Sequence, residues 1–380
     1  MNATIYGVDA NPGDTVCQTV NAGECTLRAA IMEANALAGP DDVVVPAGTY
    51  VLTIAGQGED AAVTGDLDIT GDLSIMGAGP ATTIVDGGAL DTVFHILSGN
   101  TVEISGVTIR NGSGGGISNS GILSLAGSIV SGNTNTGGGG IRTIGKDTVL
   151  TLIDSTVSDN STGASGGVIF SIGGLVNGIR VGSFVTLNNS TVSGNTITGN
   201  AGGGGIANLA GTLTLTHSTV SGNTTAAQGG GIYNWVEDTT TLTNSTISGN
   251  TAATHGGGIV IESGTVTFKN TIVAGNHHGG SVVPNDCTGT LTSQGHNLIE
   301  AVSSCTIIGD TTRNITGQDA LLGPLPDNGG ATFTHALLAG SPAIDAGSTD
   351  CPPPATDQRG IARPLGAGCD IGAFEAAGAP

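Results

Sequence analysis

Carboxylates, cations and imidazoles are the residues here that could do chemistry, and they are thinly spread. Hydrolysis of a polysaccharide needs two or three carboxylates converging on one groove as acid and base. Lyase chemistry needs an Arg or Lys as base, usually beside Ca²⁺. Within the central repeats the acids are Asp147, Asp154, Asp159, Glu237, Asp238 and Glu262, and the cations are Arg142, Lys146, Arg180 and Lys269. Asp154 and Asp159 belong to one strand and its corner, and no neighbouring coil offers a partner at the same index. That scatter weighs against catalysis. The densest acidic run lies earlier, in Thr64-Gly65-Asp66-Leu67-Asp68-Ile69-Thr70-Gly71-Asp72. Asp66, Asp68 and Asp72 loosely follow the spacing of a calcium loop, and carboxylate oxygens suit Ca²⁺. The plainer alternative is a set of outward acids on a strand. No other cofactor is expected. His277 and His278 lack carboxylate or Cys partners at metal spacing and read as surface residues.

Two further features bear on partners. Trp235, the only Trp, follows Ile232-Tyr233-Asn234. An exposed aromatic pair beside a groove can stack on a sugar ring, and packing at a corner is the alternative. A repeat that is otherwise regular is stretched between Ile169 and Val185 by about eight residues, and this stretch carries Arg180. Insertions in a repeat array map to loops on one face, often the binding face. Arg180 and Trp235 are therefore the candidates for partner contact.

The elements that must position these residues come from the repeat. Six segments close on Asn133, Asn160, Asn195, Asn223, Asn250 and Asn276, at steps of 27, 35, 28, 27 and 26 residues. Eight positions before each Asn stand Leu125, Leu152, Leu187, Leu215, Leu242 and Phe268. Ten before stand Leu123, Leu150, Val185, Leu213, Thr240 and Val266, with a Ser or Thr between the two rows. Apolar, hydroxyl, apolar is the period of a half-buried strand. A Val or Ile three before each Asn marks a second strand, and the Ile after each Gly run (Ile117, Ile141, Ile169, Ile206, Ile232, Ile259) marks a third. Three short strands and three corners in about 27 residues describe a parallel β-helix, a single-stranded solenoid of all-β class. Stacked coils place each Asn about 4.8 Å from the next, so the row reads as a structural ladder of amides; a ligand-binding stripe is the alternative. Asn111 is expected to begin it.

Composition agrees. Gly is 67 of 380 residues without a three-residue period, which excludes collagen. The net charge of −21 argues against nucleic acid and anionic membranes as partners. No apolar run approaches a membrane span, so no membrane insertion is expected. Six cysteines form three local couples, Cys17 with Cys25, Cys287 with Cys305 and Cys351 with Cys369, none at the C-x-x-C spacing. Three disulfides in an oxidising compartment is the expectation, the pairing resting on proximity alone, and free buried thiols the alternative. Met1 to Gly13 is polar, so the chain reads as a mature exported protein, extracellular or at the cell surface, whose signal has been removed.

The ends differ from the middle. Residues 1–40 hold a short strand at Ala3–Tyr6, the first disulfide and a helix whose Leu27, Ala30, Ile31, Ala34 and Leu37 share one face. Such a helix caps the open end of the solenoid, with Arg28 and Glu33 in water. Residues 41–310 form the β-helix, and residues 311–380 a loop-rich C-terminal region.

Two end segments carry a resemblance. Cys25-Thr26-Leu27-Arg28-Ala29-Ala30-Ile31, running on to Glu33-Ala34-Asn35, resembles the "CSLREA" segment that opens many bacterial surface β-helix proteins, with Thr and Ala in place of its Ser and Glu. Leu322-Gly323-Pro324-Leu325, Asp327-Asn328-Gly329-Gly330, Thr334-His335-Ala336-Leu337, Gly340-Ser341-Pro342-Ala343-Ile344-Asp345-Ala346-Gly347, Asp357-Gln358-Arg359-Gly360, Arg363-Pro364 and Cys369-Asp370-Ile371-Gly372-Ala373-Phe374-Glu375 resemble the "choice-of-anchor Q" domain. The Gly-Gly-Gly-Ile repeats are similar, more weakly, to those of chlamydial polymorphic outer-membrane adhesins. The resemblance implies an exported, surface-associated, right-handed parallel β-helix with no settled enzymatic activity. The expected function is a non-catalytic structural or adhesive surface protein, assembling end to end into fibres or contacting surface glycans or proteins. A polysaccharide-binding or polysaccharide-cleaving β-helix is the alternative.

Overall fold

Strands whose side chains alternate between inside and solvent lie parallel to their copies in the next coil. Leu125, Leu152, Leu187 and Leu215 stand in register and are fully buried. The intervening Ser124, Thr151, Thr186 and Thr214 share the same register and face outward. The computed structural model describes residues 7–176, 179–200, 202–279, 283–349 and 351–377, apart from the side chains of 164, 165, 175, 176 and 179–181. It is a right-handed parallel β-helix with, among the described residues, one helix, at its N-terminal end. The strand expected at Ala3–Tyr6 lies outside the described residues.

An 11-stranded sheet runs from Gly48–Val51 to Ile315–Thr316. A 20-stranded sheet bends around a corner to make two faces, because Cys287–Gln294 pairs with Ile259–Ile261 at its start and with Thr265–Lys269 further on. Coils from Thr134 onward carry a fourth short strand where three were expected. These strands, such as Thr196–Ile197 and Thr224–Thr225, belong to a seven-stranded sheet between the Gly-Asn corner and the Gly run. The stretched repeat is an antiparallel hairpin, Ile169–Val176 with Ile179–Val181, growing out of one coil.

The Asn row is interior. Asn133, Asn160, Asn195, Asn223, Asn250 and Asn276 are all buried, and each side-chain amide donates to Oδ1 of the next at 2.8–3.1 Å. Each amide also donates to a backbone carbonyl of the preceding coil, as Asn195 does to Val157 O at 3.0 Å. Asn111 does not begin the row. It stands one residue off the frame and donates to Asp86, while Gly112 N donates to Asn133 Oδ1. Asp286 ends the row by accepting from Asn276 at 2.8 Å. A second buried ladder runs through Ser155, Ser190, Ser218 and Ser245, each hydroxyl accepting from the backbone N–H one coil earlier. The Gly before each Ile serves the amides: a Cβ on Gly231 would stand 2.7 Å from Gly258 O and 3.1 Å from the Asn250 amide nitrogen.

Both ends depart from the simple reading. The helix spans Leu27–Ala36, with the Thr26 hydroxyl accepting from Ala29 N. Arg28 and Glu33 were expected in water but are buried. Residues 7–26 cover the helix face that a one-sided amphipathic pattern leaves to solvent: Glu33 accepts from Gly13 N at 2.6 Å and from Thr15 N. Arg28 spends its guanidinium on the carbonyls of Ala62, Gly65 and Asp66 at 2.6–2.9 Å. Three disulfides join Cys17 to Cys25, Cys287 to Cys305 and Cys351 to Cys369, a pattern that suits an oxidising compartment. No helix among the described residues is long and apolar enough to cross a membrane.

The C-terminal region turns back and covers the 11-stranded sheet. Gln358 bridges two coils, donating to Thr191 Oγ1 at 2.8 Å and accepting from Thr219 Oγ1 at 2.7 Å. His335 Nε2 meets Ser221 Oγ at 2.7 Å. The tail holds itself together with the motif residues named above. Arg363 donates to the carbonyls of Asp370 and Gly372, Asp357 pairs with Arg359, and the Arg359 guanidinium lies 3.6 Å from the centre of the Phe374 ring.

Replacing Asn195 by Ala strands the Asn160 backbone N–H and the one Asn160 amide proton that now find Asn195 Oδ1. The expected cost is about 2–4 kcal/mol in urea unfolding followed by circular dichroism. Thr186→Ala, on the outer surface of the same coil, should stay within about 0.5 kcal/mol.

Candidate functional site

One face stands out once the outward side chains are followed from coil to coil. Strand register places Asp68, His95, Ser118, Arg142, Phe170, Ala207, Tyr233 and Val260 in one column. Two residues further along, Ile144, Ile172 and Leu209 form a second column, which Trp235 continues in the coil of Tyr233. The face that carries Ser124, Thr151, Thr186 and Thr214 keeps its Ser and Thr, whereas this face changes from charged to apolar along its length.

The apolar end forms a groove of about 790 Å³. Phe170, Ala207 and Leu209 pack together on its floor, and Ile172 packs against them. Tyr233 is buried, Trp235 is 49% exposed, and their ring centres lie 6.4 Å apart at 28°. Asn200, Gln228, Thr254 and His255 add polar groups to the lining. Gln228 Nε2 donates to the Tyr233 hydroxyl and to Glu262 Oε1, each at 2.9 Å. The structure thus places Trp235 as a solvent-facing ring on a groove. Arg180 lies on the second strand of the inserted hairpin, and its side chain falls outside the described residues. The groove begins at Phe170, in the strand from which that hairpin grows.

The turn that presents Trp235 is organised by an acid that sequence reasoning counted only as scattered. Asp238 is buried, accepting from Gly211 N at 2.7 Å, Trp235 N at 2.9 Å and Val236 N at 3.2 Å. Burial pushes its carboxyl up to about 6, and the backbone donors pull only part of the way back. Ser263 Oγ donates to Trp235 O at 2.6 Å and holds the turn from the next coil.

At the other end of the face, the calcium trio does not assemble. Asp72 accepts from Thr101 N, on another face. Asp68 is fully buried and meets His95 Nδ1 at 2.9 Å, while its other oxygen accepts from Ala62 N at 3.0 Å. Asp60 approaches the same ring nitrogen at 3.7 Å. Asp66 lines an adjoining pocket of about 290 Å³ with Asp60, Asp91 and His95. Burial, then the Asp68 and Asp91 charges, push the Asp66 carboxyl up to about 7. The hydrogen bond that its Nδ1–H donates to Asp68 holds the His95 imidazole above its usual range. Neither Asp60 nor His95 was singled out from sequence. The signal was present, since Asp68 and His95 stand 27 residues apart, one coil.

Asp238 yields a pH prediction. Its carboxyl titrates higher in the folded chain than in the unfolded one, so its contribution is fully present below about 4 and is lost as pH rises through about 6. Thermal melts of the wild type and Asp238→Asn between pH 4 and 8 should show the wild type gaining on the variant as acid is added. Emission of the sole Trp should shift in the variant at every pH, because the Trp235 N–H loses its carboxylate.

No family model, no curated protein and no solved structure matches the chain.

Proposed function

We propose that this chain is an exported adhesive scaffold of the cell surface, and that its ligand is a neutral glycan held in the Trp235 groove. One observation carries the reading: a half-exposed indole stacked beside Tyr233, on a face where outward hydroxyls give way to Phe170, Ile172 and Leu209. Ligand grooves are mostly apolar, with a few placed polar groups that fix orientation. Trp and Tyr supply broad faces at little entropic cost. Gln228, His255 and Asn200 supply donors and acceptors for sugar hydroxyls. The net charge of −21 favours a neutral glycan over an anionic one.

Other features support the setting. The three disulfides suit export, and the two end segments resemble those of bacterial surface β-helix proteins. The cap buries one end of the solenoid, and the tail covers one side. The grooved face is left open to a partner.

A glycan array screened with the full chain tests the proposal, followed by titration of any hit against the fluorescence of Trp235. Binding should quench or shift the emission, and Trp235→Ala should weaken it by roughly tenfold or more with the circular dichroism unchanged. Binding that leaves the emission untouched, or that survives the substitution, would overturn the assignment of the groove.

A further inference from the structure

We propose that Asp60, Asp68 and His95 form a binding site for a divalent transition ion of the Zn²⁺ or Mn²⁺ kind, at the opposite end of the face from the groove. The donor atoms, two carboxylate oxygens and an imidazole nitrogen, all lie within 4.8 Å of one another. The ring nitrogen stands 2.9 Å from Asp68 Oδ1 and 3.7 Å from Asp60 Oδ1. Donors bonded to one ion at about 2.0–2.2 Å sit roughly 3–3.6 Å apart, so small movements bring all three onto a single ion. A nitrogen donor selects against Ca²⁺, which prefers oxygens throughout, and toward borderline ions. On binding, the ion takes the place of the proton that His95 Nδ1 shares with Asp68.

The arrangement is built rather than incidental. Asp68 and His95 are register partners on adjacent strands, Leu67–Ile69 and Phe94–Ile96, so the backbone ladder sets their separation. Asp68 is fully buried and its second oxygen is fixed by Ala62 N. Asp60 rides on a loop that has no strand of its own. That loop is nevertheless held: Arg28 binds the carbonyls of Ala62 and Gly65 from beneath, and Glu59 accepts from Ala61 N and Thr64 N. A buried guanidinium thus fastens the loop that delivers the third donor. The charge balance adds an independent reason. Asp66 and Asp91 open onto the same pocket as Asp60 and His95, and Glu59 borders it. Arg28 faces the far side of the loop, and Lys146, which lines another pocket beside His95, is paired with Asp147 at 2.8 Å. Negative groups outnumber positive ones on the solvent side, and an added cation relieves the excess. The site rests on residues separate from the glycan groove, whose nearest lining residue in the column, Phe170, stands three coil spacings from His95, roughly 14 Å.

The test uses tag-free full chain, stripped with chelator and dialysed against Zn²⁺, Mn²⁺ or Ca²⁺ alone at pH 7.5, with bound metal measured by mass spectrometry and affinity by calorimetry. One Zn²⁺ or Mn²⁺ per chain is expected, with Ca²⁺ at least about tenfold weaker. Asp60→Asn alters an exposed side chain and leaves the fold intact, and His95→Gln removes the nitrogen donor. Each should weaken binding at least about tenfold, and Co²⁺ loaded in place of Zn²⁺ should show absorption bands that His95→Gln abolishes. No bound metal would overturn the proposal and leave an imidazole–carboxylate ion pair. Binding that both variants retain, or Ca²⁺ binding as tight as Zn²⁺, would also overturn it.

Discussion

Every part of this molecule answers to the spacing between coils. Parallel strands about 4.8 Å apart oblige each buried polar group to find its partner directly above or below, because its flanks are filled by the coil's own apolar residues. Asn meets that demand as few side chains can, with two donors and one acceptor on a single flat group. One donor binds the neighbouring amide and the other a backbone carbonyl, so no lone proton is left in the interior. The serine hydroxyls solve the same problem at the next corner with the backbone N–H as donor. These two ladders fix the corners, and the fixed corners let the Leu and Val rows align.

A stack of this kind makes function one-dimensional. An outward position repeats in every coil, so a change of residue type along a column is a change of chemistry along a line. On one face that line runs from an imidazole between carboxylates, past Arg142, to a platform of aromatic rings. The tail removes a second face from use by laying Gln358 and His335 across its threonines and serines.

What could be read from the residues alone follows from that regularity. The Leu rows and the amide ladder were legible because the period of about 27 residues gives every position an index, and the three disulfide couples because the partners of each stand close in sequence outside the repeats. The same index failed where the frame slips. Asn111 sits one place off it and so joins Asp86 instead of the row. Asp68 and His95 lie in looser coils that close on no Asn, and their one-coil separation passed unnoticed. Burial of Arg28 and Glu33 was invisible for another reason. A helical pattern shows which side faces the core, but not that residues 7–26 return to cover the other side. The exposure of Trp235 depended on a turn tied by Asp238, a contact three residues away in sequence whose meaning is geometric.

The carboxylate at the end of the amide row gives the solenoid a direction. Each side-chain amide takes a proton on its oxygen from the coil before and gives one to the coil after, so the amide dipoles along the row add and leave partial positive charge at the last one. Asp286 sits at that terminus and neutralises it, much as a cation closes the carboxyl end of a helix. It also offers no proton onward, and the chain of donors stops there. Lengthening by duplication is therefore admissible anywhere upstream, where each new amide both gives and receives, and inadmissible beyond the acid, where a further coil would meet an acceptor facing an acceptor.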